Sequence, residues 1–87
     1  MRLDQYLKET RIIKRRTLAK QMCEDGFVYV NSKKAKASYE VKLSDNIEIF
    51  FKQKKAAYKV LNIPKKGTPK SESYKFYEVL DESYYEQ

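Results

Sequence analysis

The 87-residue chain contains no histidine, no tryptophan, one cysteine, two glycines and two prolines. Without histidine there is no imidazole to serve as a general base or metal ligand near neutral pH. A lone Cys23 excludes an internal disulfide and leaves no thiolate–imidazole metal cluster. Two glycines make no phosphate-cradling loop, and no nucleophile elbow is present. The adjacent acids Glu24-Asp25 and Asp81-Glu82 read as solvated surface rather than as catalytic dyads. No apolar run approaches the roughly 20 residues that span a bilayer. The N-terminal MRLDQYLKET has no signal-peptide core, because Asp4, Gln5 and Lys8 interrupt it. These absences describe a cytoplasmic chain with no catalytic machinery and no cofactor.

Positive charge is what the chain has in excess. The net charge is +7, unevenly spread. Residues 1–70 hold 18 Lys and Arg against seven acids, while residues 71–87 hold one Lys against five acids. A basic body implies a polyanionic partner: RNA, DNA or an anionic membrane. A membrane surface is the weaker choice, since no helix pairs a large apolar face with a basic border. At this length one domain is expected.

The stretch from Lys14 to Ser32 organises the rest. Leu18, Ala19, Met22 and Cys23 fall on one apolar stripe of a second helix, suited to a core. Arg16 and Lys20 lie one turn apart on its flank. Lys14, Arg15 and Arg16 open this helix, where cations oppose the helix dipole. That local conflict favours binding over mere solvation. Gly26 supplies the positive φ that ends many helices. A strand follows over Phe27–Val30, then a polar turn at 31–34. Before this stretch, Leu3, Tyr6, Leu7 and Thr10 predict a first helix over 3–9, with Asp4 and Lys8 as an exposed i,i+4 pair. After it come an irregular extended stretch over 35–41, a turn at 44–46 and a strand carrying Ile47, Ile49 and Phe51. An exposed lysine loop over 52–55 leads to a returning strand with Tyr58 and Val60. Residues 64–70 read as a basic linker, and residues 71–87 as an acidic, tyrosine-rich tail. There Tyr74, Tyr77, Leu80 and Tyr84 suggest a short helical face. A DNA-reading helix-turn-helix fits less well, because the second helix runs straight into strands and offers few base-reading amides.

The ordered motif Arg2-Leu3-Asp4-x-x-Leu7, Arg11, Lys14-x-Arg16-x-x-Ala19, Gly26-x-Val28-x-Val30-Asn31 and Ala35-Lys36-x-Ser38 resembles the S-four RNA-binding domain. The likeness covers residues 1–51 in register and extends loosely to 63, which defines the expected domain. It implies an α+β fold, with short N-terminal helices on a small, mostly antiparallel sheet. It also implies that Arg2 and Arg16 meet rRNA, flanked by Arg11, Lys14, Arg15 and Lys20. Asn31 and Lys36 line the next turn, and Asp4 orients a neighbouring arginine. Many family members have Asn-Gly where this chain has Asn31-Ser32, so a different turn is expected. They also often have Ser or Thr where this chain has Arg15.

Within that family the likeness is strongest to small free-standing members of ribosome-associated quality control. This implies binding to stalled large ribosomal subunits that carry peptidyl-tRNA, through large-subunit rRNA. It further implies assistance to the factor RqcH in alanine tailing, and a monomer off the ribosome. The alternative within the family is a heat-shock-type member that recycles blocked large subunits. A fused RNA-modifying enzyme is the separate class, and no catalytic segment follows the motif.

Overall fold

Leu3, Tyr6, Leu7 and Thr10 are fully buried and fix α1 (Leu3–Glu9) against the sheet. Arg11 ends the helix with φ 64°, a left-handed conformation that lets the chain reverse into Ile13, which is buried. Helix α2 (Arg16–Glu24) follows, and Gly26 at φ 85° turns the chain into β1 (Val28–Val30). The computed structural model describes residues 1–85.

Five antiparallel strands make one sheet in the order β2-β1-β3-β4-β5. They are β1, β2 (Lys33–Lys34), β3 (Asn46–Phe50), β4 (Lys54–Val60) and β5 (Tyr77–Tyr84). Period-two burial is clear in the middle of the sheet. Ile47 and Ile49 of β3 and Ala56, Tyr58 and Val60 of β4 point inward to join α1 and Val28. The α+β architecture is thus the one expected.

The Asn31-Ser32 turn keeps positive φ at both residues, 51° and 68°. That is the requirement of a two-residue type I′ hairpin loop, normally met by Asn-Gly. Serine therefore adopts the same sense of turn as glycine would, at a steric cost. The turn is shorter than expected from sequence, because Lys33 and Lys34 pair with Val30 and Tyr29 as β2. Lys54 and Lys55 likewise belong to β4 rather than to a loop.

The segment after residue 63 is tied to α1. Buried Tyr6 donates its hydroxyl to the Phe76 carbonyl at 2.6 Å. Buried Glu9 accepts the Gly67 N–H at 3.1 Å. Tyr77 packs edge-on against Tyr58, with ring centroids 5.4 Å apart. The suggested helical face does not form: Tyr74 lies in a 3-10 helix (Lys70–Lys75), and Tyr77, Leu80 and Tyr84 lie in β5. Glu86 and Gln87 of the expected tail lie outside the described residues.

Two stability outcomes follow. Tyr6→Phe removes one hydrogen bond to the Phe76 carbonyl, which still accepts the Leu61 N–H at 2.9 Å, and should lower unfolding free energy by about 0.5–1.5 kcal/mol in urea titrations. Ser32→Gly relieves the left-handed serine and should raise stability by up to about 1 kcal/mol, after the entropic cost of glycine.

Candidate RNA interface

The first turn of α1 leaves backbone N–H groups without helical partners. The irregular 35–41 segment supplies them: Leu3 N–H donates to Tyr39 O at 2.8 Å and Asp4 N–H to Ala37 O at 3.2 Å. Arg2 forms an isolated bridge with Glu40, and the Met1 ammonium pairs with the Glu40 carboxylate. These bonds set Arg2 beside Lys36 and Ser38.

Asp4 is 2% exposed. One carboxylate oxygen accepts the Gln5 N–H at 2.8 Å and the Arg2 Nε–H at 3.2 Å. The other accepts from Arg2 Nη2 at 3.4 Å and lies 3.5 Å from Arg16 Nε. So one buried anion holds two half-exposed guanidinium groups from different elements. Asp4 does not pair with Lys8, which turns instead to Glu9 at 3.4 Å. The pairing also answers the electrostatic conflict in α2. That helix has no acid in its first turn and no side-chain cap. The missing negative charge beside its first residue, Arg16, comes from α1.

Arg2 and Lys20 meet Lys34 and Lys36 around a groove of about 490 Å³, floored by Cys23, Ala35 and Ala37. Lys34 is the cation that sequence reasoning missed, being placed in a turn rather than on β2. Its aliphatic stem crosses Gly26, where a Cβ would lie 3.2 Å from Lys34 Cε. Arg11, Lys14 and Arg15 sit exposed on the α1–α2 connection, and among the described residues none has a carboxylate partner. Asn31 stands apart. Its Nδ2 donates to Asp45 at 3.0 Å and its Oδ1 accepts the Asn46 N–H at 3.0 Å, so both ends of the amide brace the hairpin. Asp45 is buried and also accepts from Tyr39 OH at 2.9 Å and Lys42 N–H at 2.9 Å.

The apolar stripe of α2 is rotated from its expected direction. Ala19 and Cys23 are buried, but Leu18 is 50% exposed. Leu18 and Met22 line a separate apolar groove with Phe27, Phe50 and Phe51. Rotating the helix this way brings the flank with Arg16 and Lys20 toward Asp4 and the cationic groove.

Two arginines held on one carboxylate and three lysines around a shallow groove are a donor set suited to a sugar–phosphate backbone. The S4 domain family model matches residues 1–47. The chain belongs to the S4 domain family, and within it to the RQC P-site tRNA stabilizing factors. It is 44% identical over 87 residues to that factor from Streptococcus pneumoniae, covering 100% of this chain and 98% of the relative. It is 44% identical over 82 residues to that of Bacillus subtilis, covering 94% of each. Among solved structures, HP1423 superposes with a TM-score of 0.80 at 35% identity, covering 93% of this chain and 98% of that one. A trimeric structure of Vibrio cholerae heat shock protein 15 superposes with a TM-score of 0.82 at 28% identity, covering 91% of this chain and 80% of that one.

Cys23 provides a chemical probe of this packing. Burial, with Asp4 and Glu24 nearby, pushes its thiol up to about 11. A higher pKa means less thiolate, the reactive form, at any pH below it. Alkylation at pH 8 should therefore run about 100-fold slower in the native protein than in the urea-unfolded chain, given a shift of about two pH units. Mass spectrometry of timed quenches measures both rates.

Proposed function

We propose that this protein is a non-catalytic RNA-binding factor of ribosome-associated quality control that holds P-site peptidyl-tRNA on stalled large subunits. The carrying observation is the buried Asp4 with Arg2 and Arg16 arrayed on it, in a chain so similar over its whole length to P-site tRNA stabilizing factors. Arg2, Arg16 and Lys20 are the proposed rRNA contacts, with Lys34 and Lys36 completing the groove. Arg11, Lys14 and Arg15 extend the same positive field along the α1–α2 connection. Asp4 positions the arginines and Asn31 stabilises the turn. The protein makes and breaks no bond. Its work is to add fixed cationic contacts that lengthen the residence of tRNA on the subunit while RqcH extends the chain. It acts in the cytoplasm as a monomer off the ribosome; among the described residues no helix is long and apolar enough to cross a membrane. The heat-shock-type alternative has weaker support, since that neighbour is 28% identical against 44% for the tRNA-stabilizing relatives.

Binding to large subunits should weaken steeply with salt, with a log–log slope of about −0.7 to −0.9 per phosphate contacted. Arg16→Ala should reduce that slope by about one contact and lower co-sedimentation with large subunits, the fold being retained. Asp4→Asn separates positioning from bulk charge. It removes one negative charge, so a purely electrostatic grip would bind RNA more tightly. Loss of ordered arginines should instead weaken binding several-fold, with circular dichroism unchanged. Tighter binding by Asp4→Asn would refute the positioning role. Association of Arg16→Ala equal to wild type would refute the site.

A further inference from the structure

We propose that the free edge of β5 is a docking strand for an extended, lysine- or arginine-rich segment of a protein partner. Strand β5 closes one end of the sheet and, among the described residues, pairs only with β4. Alternate N–H and C=O groups on its outer side are therefore free for another strand. Edge strands are usually guarded by shortness, charged side chains, proline or a bulge. Here the edge runs for eight residues, YEVLDESY, with no proline and no lysine, and its charges are all acidic, so they deter an acidic or self-identical strand but not a basic one. Its one irregularity is a register shift at Leu80, between the Asp81–Ala57 and Val79–Tyr58 pairs. Val79 and Leu80 are each about half exposed, 51% and 47%, and offer apolar contact beside the free backbone.

Charge selects the occupant. The strand carries Glu78, Asp81 and Glu82 and no cation, in a protein of net charge +7. Glu82 is joined to Lys54 at 3.4 Å, whereas Glu78, which lies opposite Lys59 in the strand register, and Asp81 form no ion pair among the described residues. RNA is repelled from such an edge. A second copy would set the same acids against one another, and like charges across a strand pair are destabilising. An extended segment with basic side chains interleaved with apolar ones satisfies backbone, charge and apolar surface together, as in strand addition to a sheet edge. This reading does not depend on the RNA function, because the cationic groove lies at the opposite, β2 end of the sheet.

The test is amide NMR on the full-length isotope-labelled chain, titrated with a short peptide alternating lysine and valine. Shifts confined to β5 and adjoining β4 amides, with cross-strand contacts to the peptide, are expected. A peptide alternating glutamate and valine should produce none, and one alternating lysine and glycine should bind at least tenfold more weakly. Replacing both exposed acids, Glu78→Lys with Asp81→Lys, should weaken the lysine–valine peptide at least tenfold while the remaining spectrum keeps its dispersion. The proposal fails if the peptide moves nothing, or moves the α2 groove. It fails equally if the lysine–glycine peptide binds as tightly, which would mean surface charge alone. Concentration-dependent β5 shifts without peptide would assign the edge to a second copy, and β5 shifts with a single-stranded oligonucleotide would assign it to RNA; either result overturns it.

Discussion

A carboxylate buried to 2% exposure is the constraint around which the cationic face is arranged. An isolated charge in that position would be costly, and it persists because it is paired and hydrogen-bonded. Asp4 sits in the first turn of α1, where the helix dipole favours an anion. It accepts a backbone N–H and arginine N–H groups, and it neutralises the unfavourable cation at the start of α2. One side chain thereby fixes the spacing of α1, α2 and Arg2. The 35–41 segment completes the arrangement by giving its carbonyls to the α1 N-terminus. The arginines keep about half of their surface in solvent, so their remaining donors are presented outward in a fixed orientation. Side chains ordered in advance lose less entropy when a ligand binds them.

Much of this was legible in the residues, and the reasons differ by element. The 3–9 helix was readable because Leu3, Tyr6 and Leu7 repeat at helical spacing and are buried together on one side. β3 and most of β4 were readable because one face is buried and the other is not. The phase of α2 was misjudged because its stripe is broad. Leu18 is as apolar as Ala19, yet a small residue lets the helix approach the core closely and a large one at the margin is left half exposed. Periodicity alone does not distinguish these two cases. Spacing alone makes Asp4 half of an i,i+4 pair, and only the family resemblance gives it an arginine to orient, since nothing local reveals that an arginine two residues before it and another twelve after it converge on its carboxylate.

The strands that were missed share a physical cause. β2 has two exposed lysines, and β5 is exposed along almost its whole length. Neither shows the apolar alternation that burial imposes on an interior strand. Both are specified from outside their own sequence: β2 by the positive-φ turn at Asn31-Ser32, β5 by cross-strand pairing with β4 and by the Tyr58–Tyr77 contact. The tyrosines of β5 then produced an accidental helical spacing. Asn31, which the family resemblance places at the RNA-facing turn, commits both ends of its amide to the hairpin, a role that its sequence neighbours do not reveal.

The sheet also sorts charge. Its order places the two lysines of β2 at one end and the three acids of β5 at the other, next to Lys54, Lys55 and Lys59 of β4. A uniform excess of lysine would attract phosphate from every side and hold it in no particular orientation. Here a polyanion approaching the α1–α2–β2 end would meet two arginines already held in place by Asp4. Complementary fields of this kind fix register and suppress wrong encounters more than they raise affinity. For an RNA-binding protein, the fixed orientation of the cationic side chains therefore matters as much as their number.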